Sequence, residues 1–412
     1  MMLTRRSLTL GALAGTATVT LAPGSLTAAA RASGDGCGSE SGQVVLDWER
    51  ISFRTVYTTA LTPIPVGVPV LGFTSVALHR AARRAARHRS ASGAAAVASA
   101  AHDVLVHYYP TQAAALAADL ATSLAAVTSS ESRDRGARIG AGAAADLLAD
   151  RVGDNYLETK FHYSKAEGPG VWQPNPGAID MLAPWLGSLR FLFLHRAVRV
   201  DGPWPLSSGA YASEYDEVRR LGSAASTERT QTQTDTAQFF NSNSATMVGD
   251  ALIRYLEGHP IGLESTARLF AMIHGAMTDS AIQVWRLKRD VGFWRPSQAI
   301  AGAGADGNPA TATEAGWLPL VPNPNYSDYV SGHAGLTGPA CEIIRRTLGD
   351  GTPLELRSVN SPTPRTYPSL TALEQDAFHA RIWSGLHFRK AMVDGYAIAH
   401  RTASRVLEEF DD

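Results

Sequence analysis

Lysine is almost missing from this chain. Its 412 residues carry positive charge on arginine, with lysine only at Lys160, Lys165, Lys288 and Lys390. Cysteine is as scarce: Cys37 and Cys341 allow at most one tether and exclude a disulfide framework. Neither sign of charge prevails, with 37 basic against 38 acidic side chains, so charge argues against a nucleic-acid partner. Long apolar runs are also lacking. The longest uncharged stretch, residues 55–78, is broken by Pro63, Pro65, Pro69 and scattered threonines. It reads as a surface loop or short turns, so no membrane span is expected. Alternating β-branched runs bounded by turns are absent, which argues against a sheet architecture.

The start of the chain has a different character. Arg5-Arg6 precede a mild apolar run from Gly11 to Leu21 and then Ala30-Arg31-Ala32. Residues 1–32 therefore read as a twin-arginine export signal, implying a secreted or cell-envelope protein. A Gly/Ser-rich lead follows to residue 44, and residues 45–412 are expected to form one domain. The signal contains three arginines and no acid, so the remainder is mildly acidic.

Helical periodicity dominates that domain. Apolar residues recur at helical spacing over 93–128, interrupted at Pro110, and over 136–151. Further helices are expected at 210–221, 245–258, 264–288, 332–348, 371–384 and 389–410. Pro/Gly-rich connectors separate them at 167–187, 202–209, 302–328 and 351–369. The fold class is mainly α: a helical bundle with long connectors. The arginines of the basic segment 79–89 read as a solvated helix face. Gly302–Gly307 looks like a phosphate loop but follows no strand and opens no helix. His102 and His107 are five residues apart and share no helix face, which makes metal binding there a poor expectation.

Three short blocks carry chemistry, all within residues 285–394. They are Lys288 with Arg295-Pro296, then Ser331-Gly332-His333, then Arg381 with His387. Lys288 and Arg295 are seven apart, nearly two turns of a continuous helix, and would share a face. Ser331 stands where a turn meets the helix at 332–348, so its hydroxyl and the Gly332 amide can face an anion. Each contact between like charges at about 4 Å costs on the order of 4 kcal/mol at intermediate dielectric. Three converging cations therefore demand an anion between them. The arginines suit paired oxygen contacts, and Lys288 supplies a single compact donor. His387 can attack or coordinate the central atom, and His333 can move protons. Arg381 and His387 would not face the same way from a straight helix, so a break is expected near Ser384-Gly385.

These blocks resemble those of the vanadium-dependent haloperoxidases and type 2 phosphatidic-acid phosphatases (PAP2). The shared pattern is Lys-x6-Arg-Pro, Pro-Ser-Gly-His and Ser-Arg-x5-His with an acid four residues on. The resemblance implies that Lys288, Arg295, Ser331, Gly332 and Arg381 hold the oxygens of vanadate or phosphate. It makes His387 the vanadium ligand or the phosphatase nucleophile, and His333 the acid–base group. Trp285 and Tyr326 fall where the soluble haloperoxidases line a halide pocket. Val330 and Ala380 replace the motif proline and serine. Ala391 stands at the acid's position, and Asp394 is the candidate to orient a site histidine or arginine. The implied activity is oxidation of a halide by hydrogen peroxide, with transfer to a small organic acceptor. The alternatives are an acid phosphatase working through a phosphohistidine and a non-catalytic oxyanion-binding protein.

Overall fold

A computed structural model describes residues 40–411, so the expected signal and residues 33–39 of the lead lie outside the described residues. Among those residues there are thirteen α-helices and one two-stranded sheet. The first helices are α1 (Gln43–Phe53), α2 (Ile64–Ala86), α3 (Gly93–Tyr108), α4 (Ala113–Ala125) and α5 (Ser130–Asp150). A long irregular stretch leads to α6 (Gly209–Gly222), α7 (Gln231–Phe239), α8 (Ser244–Gly258) and α9 (Leu263–Asp290). The short α10 (Pro296–Gly302) precedes α11 (Gly332–Leu348), α12 (Leu370–Trp383) and α13 (Arg389–Asp411). The mainly α expectation holds.

The organising element is α9. Its residues from Phe270 to Trp285 are buried on every side, as expected of a helix enclosed by others. It packs against α2, α11 and α13, while α3 and α5 back α2 from the far side. Glu49, Ser75 and His274 join α1, α2 and α9 through a buried trio, with Ser75 Oγ 2.8 Å from Glu49 Oε1 and 2.9 Å from His274 Nδ1. Asp279 pins the irregular chain to α9: its carboxylate accepts the amides of Leu192, Phe193 and Leu194 at 2.6, 2.9 and 2.9 Å.

The expectation of a loop at 55–78 is wrong. Residues 54–59 form a turn of π-helix, and Ile64–Ala86 is a helix with Pro65 in its first turn and Pro69 inside it. Pro65 falls where no helical N–H is needed. Pro69 is overridden by packing, because 83% of the helix's most apolar window is buried in the core. By length and composition this helix could cross a membrane; here its apolar surface meets α9 instead. A Cβ on Gly72 would lie 2.2 Å from Thr278 Oγ1, so the two backbones approach closely only because no side chain stands there.

One further expectation needs correcting. The connector 351–369 contains an antiparallel hairpin, β1 (Leu354–Ser358) with β2 (Ser361–Tyr367), which leans on α8. Its outer strand is mostly exposed, so the alternation that would reveal a half-buried strand never appears in the sequence. Within the lead, the Glu40 carboxylate accepts Ala94 N at 2.8 Å beside the start of α3. The basic face is as expected: Arg80 and Arg84 reach Asp150 and Asp146 on α5 in exposed pairs. Cys341 is buried, and Cys37 lies outside the described residues.

Candidate active site

The first block converges without a continuous helix. Lys288 lies in the last turn of α9, which ends at Asp290; Gly292 then turns the chain with φ +62°. Arg295 precedes Pro296 in extended backbone, as a residue before proline prefers, and opens α10. The shared-face geometry expected from seven-residue spacing is thus replaced by a turn that aims both side chains inward. Lys288 Nζ is fully buried and donates to the carbonyls of Ser327 at 2.7 Å and Asp328 at 3.0 Å. An ammonium has three donors, so one remains. Arg295 donates from Nε to Tyr326 O at 2.8 Å and from Nη1 to Leu386 O at 2.7 Å. Its Nη2 is buried without a partner.

The other blocks close the cage. Ser331 caps α11, its hydroxyl oxygen accepting Ala334 N at 3.4 Å, which leaves the hydroxyl hydrogen available. Gly332 faces Trp285, whose ring would lie 3.3 Å from any Cβ there. His333 is partly exposed, with Nε2 unpartnered. The expected break between Arg381 and His387 is present: α12 stops at Trp383, and Gly385 has φ +74°. Arg381 is buried, donates from Nη1 to Phe240 O at 3.2 Å and leaves Nε without a partner. His387 Nε2 lies 3.2 Å from Arg295 Nη1.

Asp328 is the residue that sequence reasoning missed. Its Oδ1 lies 2.7 Å from His387 Nδ1, with both side chains at most 2% exposed. When Asp328 is ionised its carboxylate only accepts, so Nδ1 then carries the hydrogen and the Nε2 lone pair faces Arg295 Nη1. Asp394, the expected orienting acid, does not reach His387. It binds the Tyr329 hydroxyl and Lys390 Nζ, the latter at 2.9 Å. Position 391 contributes through its backbone, the Ala391 carbonyl accepting Ser331 N at 2.9 Å. The one available signal was an acid three residues before Ser331, at a position the motif does not mark.

Electrostatics describe a cage built for a ligand. Burial holds the Lys288 ammonium well below its ordinary pKa, and neighbouring Arg295 lowers it further. Burial brings Arg381 down to about 10. Burial, then the charges of Arg295, Lys288 and Arg381, keep His387 far below the usual imidazole value, so it is neutral and its Nε2 lone pair meets only Arg295 Nη1. Asp328 is pushed up to about 7 by burial, opposed by Arg295 and Lys288. Three cations face one carboxylate, a formal surplus of positive charge. Arg295 Nη2, Arg381 Nε and His333 Nε2 are buried polar atoms without partners. Such atoms are costly unless a ligand completes them. A tetrahedral oxyanion supplies the acceptors and the missing charge, so this donor set fits vanadate or phosphate. Tyr326 closes one side: its ring centroid is 4.8 Å from Lys288 Nζ, 5.0 Å from Arg295 Cζ and 5.3 Å from the Trp285 ring.

Comparison with known proteins agrees with this geometry. The family model described as the VCPO second helical-bundle domain matches residues 268–412, which hold every cage residue. This match supports, for residues 268–412, a likeness to the vanadium haloperoxidase/PAP2 superfamily. A vanadium chloroperoxidase of Curvularia inaequalis is 26% identical over 200 residues, 40% of this chain and 32% of that protein. The match thus spans about a third of that relative's length. A bacterial vanadium-dependent iodoperoxidase structure superposes with a TM-score of 0.74 over 91% of this chain and 98% of that one, at 17% identity. A holo-type bacterial vanadium-dependent chloroperoxidase gives 0.66 over 84% and 91%, also at 17%. At such identity these likenesses show a shared helical-bundle fold over almost the whole described chain.

Proposed function

We propose that this chain is an exported vanadate-dependent haloperoxidase that oxidises halide with hydrogen peroxide and passes the oxidised halogen to a small organic acceptor. One observation carries the reading: a neutral His387, its Nδ1–H held by Asp328, turns its Nε2 lone pair toward Arg295 Nη1 among unpartnered donors. Relatives named as vanadium chloro- and iodoperoxidases support it. Export rests on Arg5-Arg6 and the apolar run behind them.

Bound vanadate would supply a Lewis-acidic centre that activates peroxide at constant oxidation state. His387 would hold it through Nε2, while Arg295 Nη2, Arg381 Nε, Ser331 Oγ and the Gly332 amide would hold its oxygens. Lys288, with one proton uncommitted, would donate it to an oxygen of the bound group. His333, partly exposed with Nε2 free, would serve as the acid–base group. Trp285 and Tyr326 border the cage on the side we assign to halide.

The His387–Asp328 contact also suits a second reading. An imidazole oriented by an acid can attack a phosphate ester, with His333 protonating the leaving alcohol. A paired assay separates them: bromination of a diketone with peroxide and orthovanadate, beside hydrolysis of an aryl phosphate. Bromination abolished by His387→Ala is the expected result. Hydrolysis inhibited by vanadate, without bromination, would select the phosphatase. Inactivity in both would leave a non-catalytic anion-binding protein.

A further inference from the structure

We propose that Tyr326 is a site of self-halogenation, at which the chain's own phenol competes with the organic acceptor for oxidised halogen; this rests on the haloperoxidase reading. Electrophilic halogen reacts with electron-rich rings, and a phenol is activated at the carbons ortho to its hydroxyl. Tyr326 combines that activation with position and access. Its ring centroid lies 4.8 Å from Lys288 Nζ and 5.0 Å from Arg295 Cζ, and its side chain is partly exposed.

The neighbouring rings lack one of these properties. Trp285 is 2% exposed, and its indole N–H is committed to Leu182 O. Phe293 and Phe388 carry no activating hydroxyl. Tyr211 and Tyr329 are 2% and 1% exposed, and the Tyr329 hydroxyl is bound to Asp394. Lys288 and Arg295 against the Tyr326 ring draw on its π density while no anion is present. An anion in the cage offsets their charge, so the ring becomes reactive when the site is loaded.

The chemistry balances. Halide, hydrogen peroxide and a proton give hypohalous acid and water. The ring carbon's electron pair then takes the halogen, the ortho C–H bond breaks, and its proton leaves with the hydroxide as water. A heavy halogen on Tyr326 would crowd the cage, so turnover without acceptor would limit itself.

The test is incubation of the full protein with orthovanadate, peroxide and iodide, the most easily oxidised of these halides, followed by peptide mass spectrometry. Expected is a mass gain of one iodine for one hydrogen at Tyr326 before any other tyrosine. Excess diketone should suppress it, and His387→Ala or Tyr326→Phe should lose it. A parallel arm treats vanadate-free protein with reagent hypoiodous acid, where Tyr326 should show no preference. Tyr326 left unmodified in the acceptor-free sample, by protein that halogenates the diketone when it is supplied, overturns the inference, as does equal preference for Tyr326 in both arms. Failure to halogenate the diketone removes the haloperoxidase reading, and this inference with it.

Discussion

Asparagine at position 328 removes one charge and almost nothing else. Asp328 Oδ1 lies 2.7 Å from His387 Nδ1, and both groups are buried. The amide oxygen of Asp328→Asn can still accept the Nδ1–H, so the imidazole keeps its tautomer. What falls is the strength of the contact. A bond to a charged partner contributes about 1.5–3 kcal/mol and a neutral one about 0.5–1.5, a difference on the order of 1 kcal/mol. Loss of a partner behind a metal-binding histidine costs about 10–100-fold in affinity. Because this variant weakens the contact without deleting it, the lower end applies, and vanadate should bind about tenfold more weakly. An anion that forms no bond to His387 should respond differently. Removing a negative charge leaves the cage more positive, so sulfate should bind no more weakly than to the wild type. Calorimetric titration of both anions measures this split. Asp394→Ala is the control, since it cuts the contacts to Tyr329 and Lys390 and leaves His387 untouched. Unchanged vanadate affinity in Asp328→Asn, or a larger loss in Asp394→Ala, would refute the assignment of Asp328 as the residue that orients His387.

Lys288→Met keeps the aliphatic stem and deletes the donor. Vanadate at about a hundredfold over its dissociation constant should stabilise the wild type by about 2.7 kcal/mol, and thermal melts of the variant at the same concentration should show most of that gain lost. Gly385→Ala places a Cβ 2.5 Å from Gly222 O at a backbone φ of +74°. Denaturant melts should show a loss of about 2–4 kcal/mol from the left-handed strain and the clash, together with weaker anion binding as Arg381 and His387 separate. His79 is held down to about 4 by burial, then by Arg83 and Arg268. Its folded pKa is below the unfolded value, so stability present above about pH 6.5 is lost as pH falls toward 4, by at most about 3 kcal/mol. Melts at a series of pH values should show that His79→Phe lacks this component, and parallel profiles for the two proteins would contradict it.

Much of the bundle was legible in the sequence because amphipathic helices write their period into it. The helix at 332–348, its Ser331 cap and the break at Ser384-Gly385 follow from spacing and local backbone chemistry alone. The helices α1, α2, α7 and α10 were not legible. In α2 the prolines and threonines signal a loop, and only enclosure against α9 makes a helix there the lower free energy. The hairpin escaped because its outer strand faces water and needs no alternation.

The site divides the same way. Residue type and order in the three blocks led to the expectation of a held anion, since converging cations repel without one. Which acid serves His387 was decided by tertiary structure. The motif position falls on Ala391, and Asp394 one turn on looks suitable by sequence distance. Yet α13 turns Asp394 toward Tyr329 and Lys390, while the chain entering α11 carries Asp328 beneath the imidazole. Sequence distance reports neighbours along one helix. The partner of His387 comes from another segment, 59 residues earlier in the chain, and only packing of α11 against α13 brings the two together.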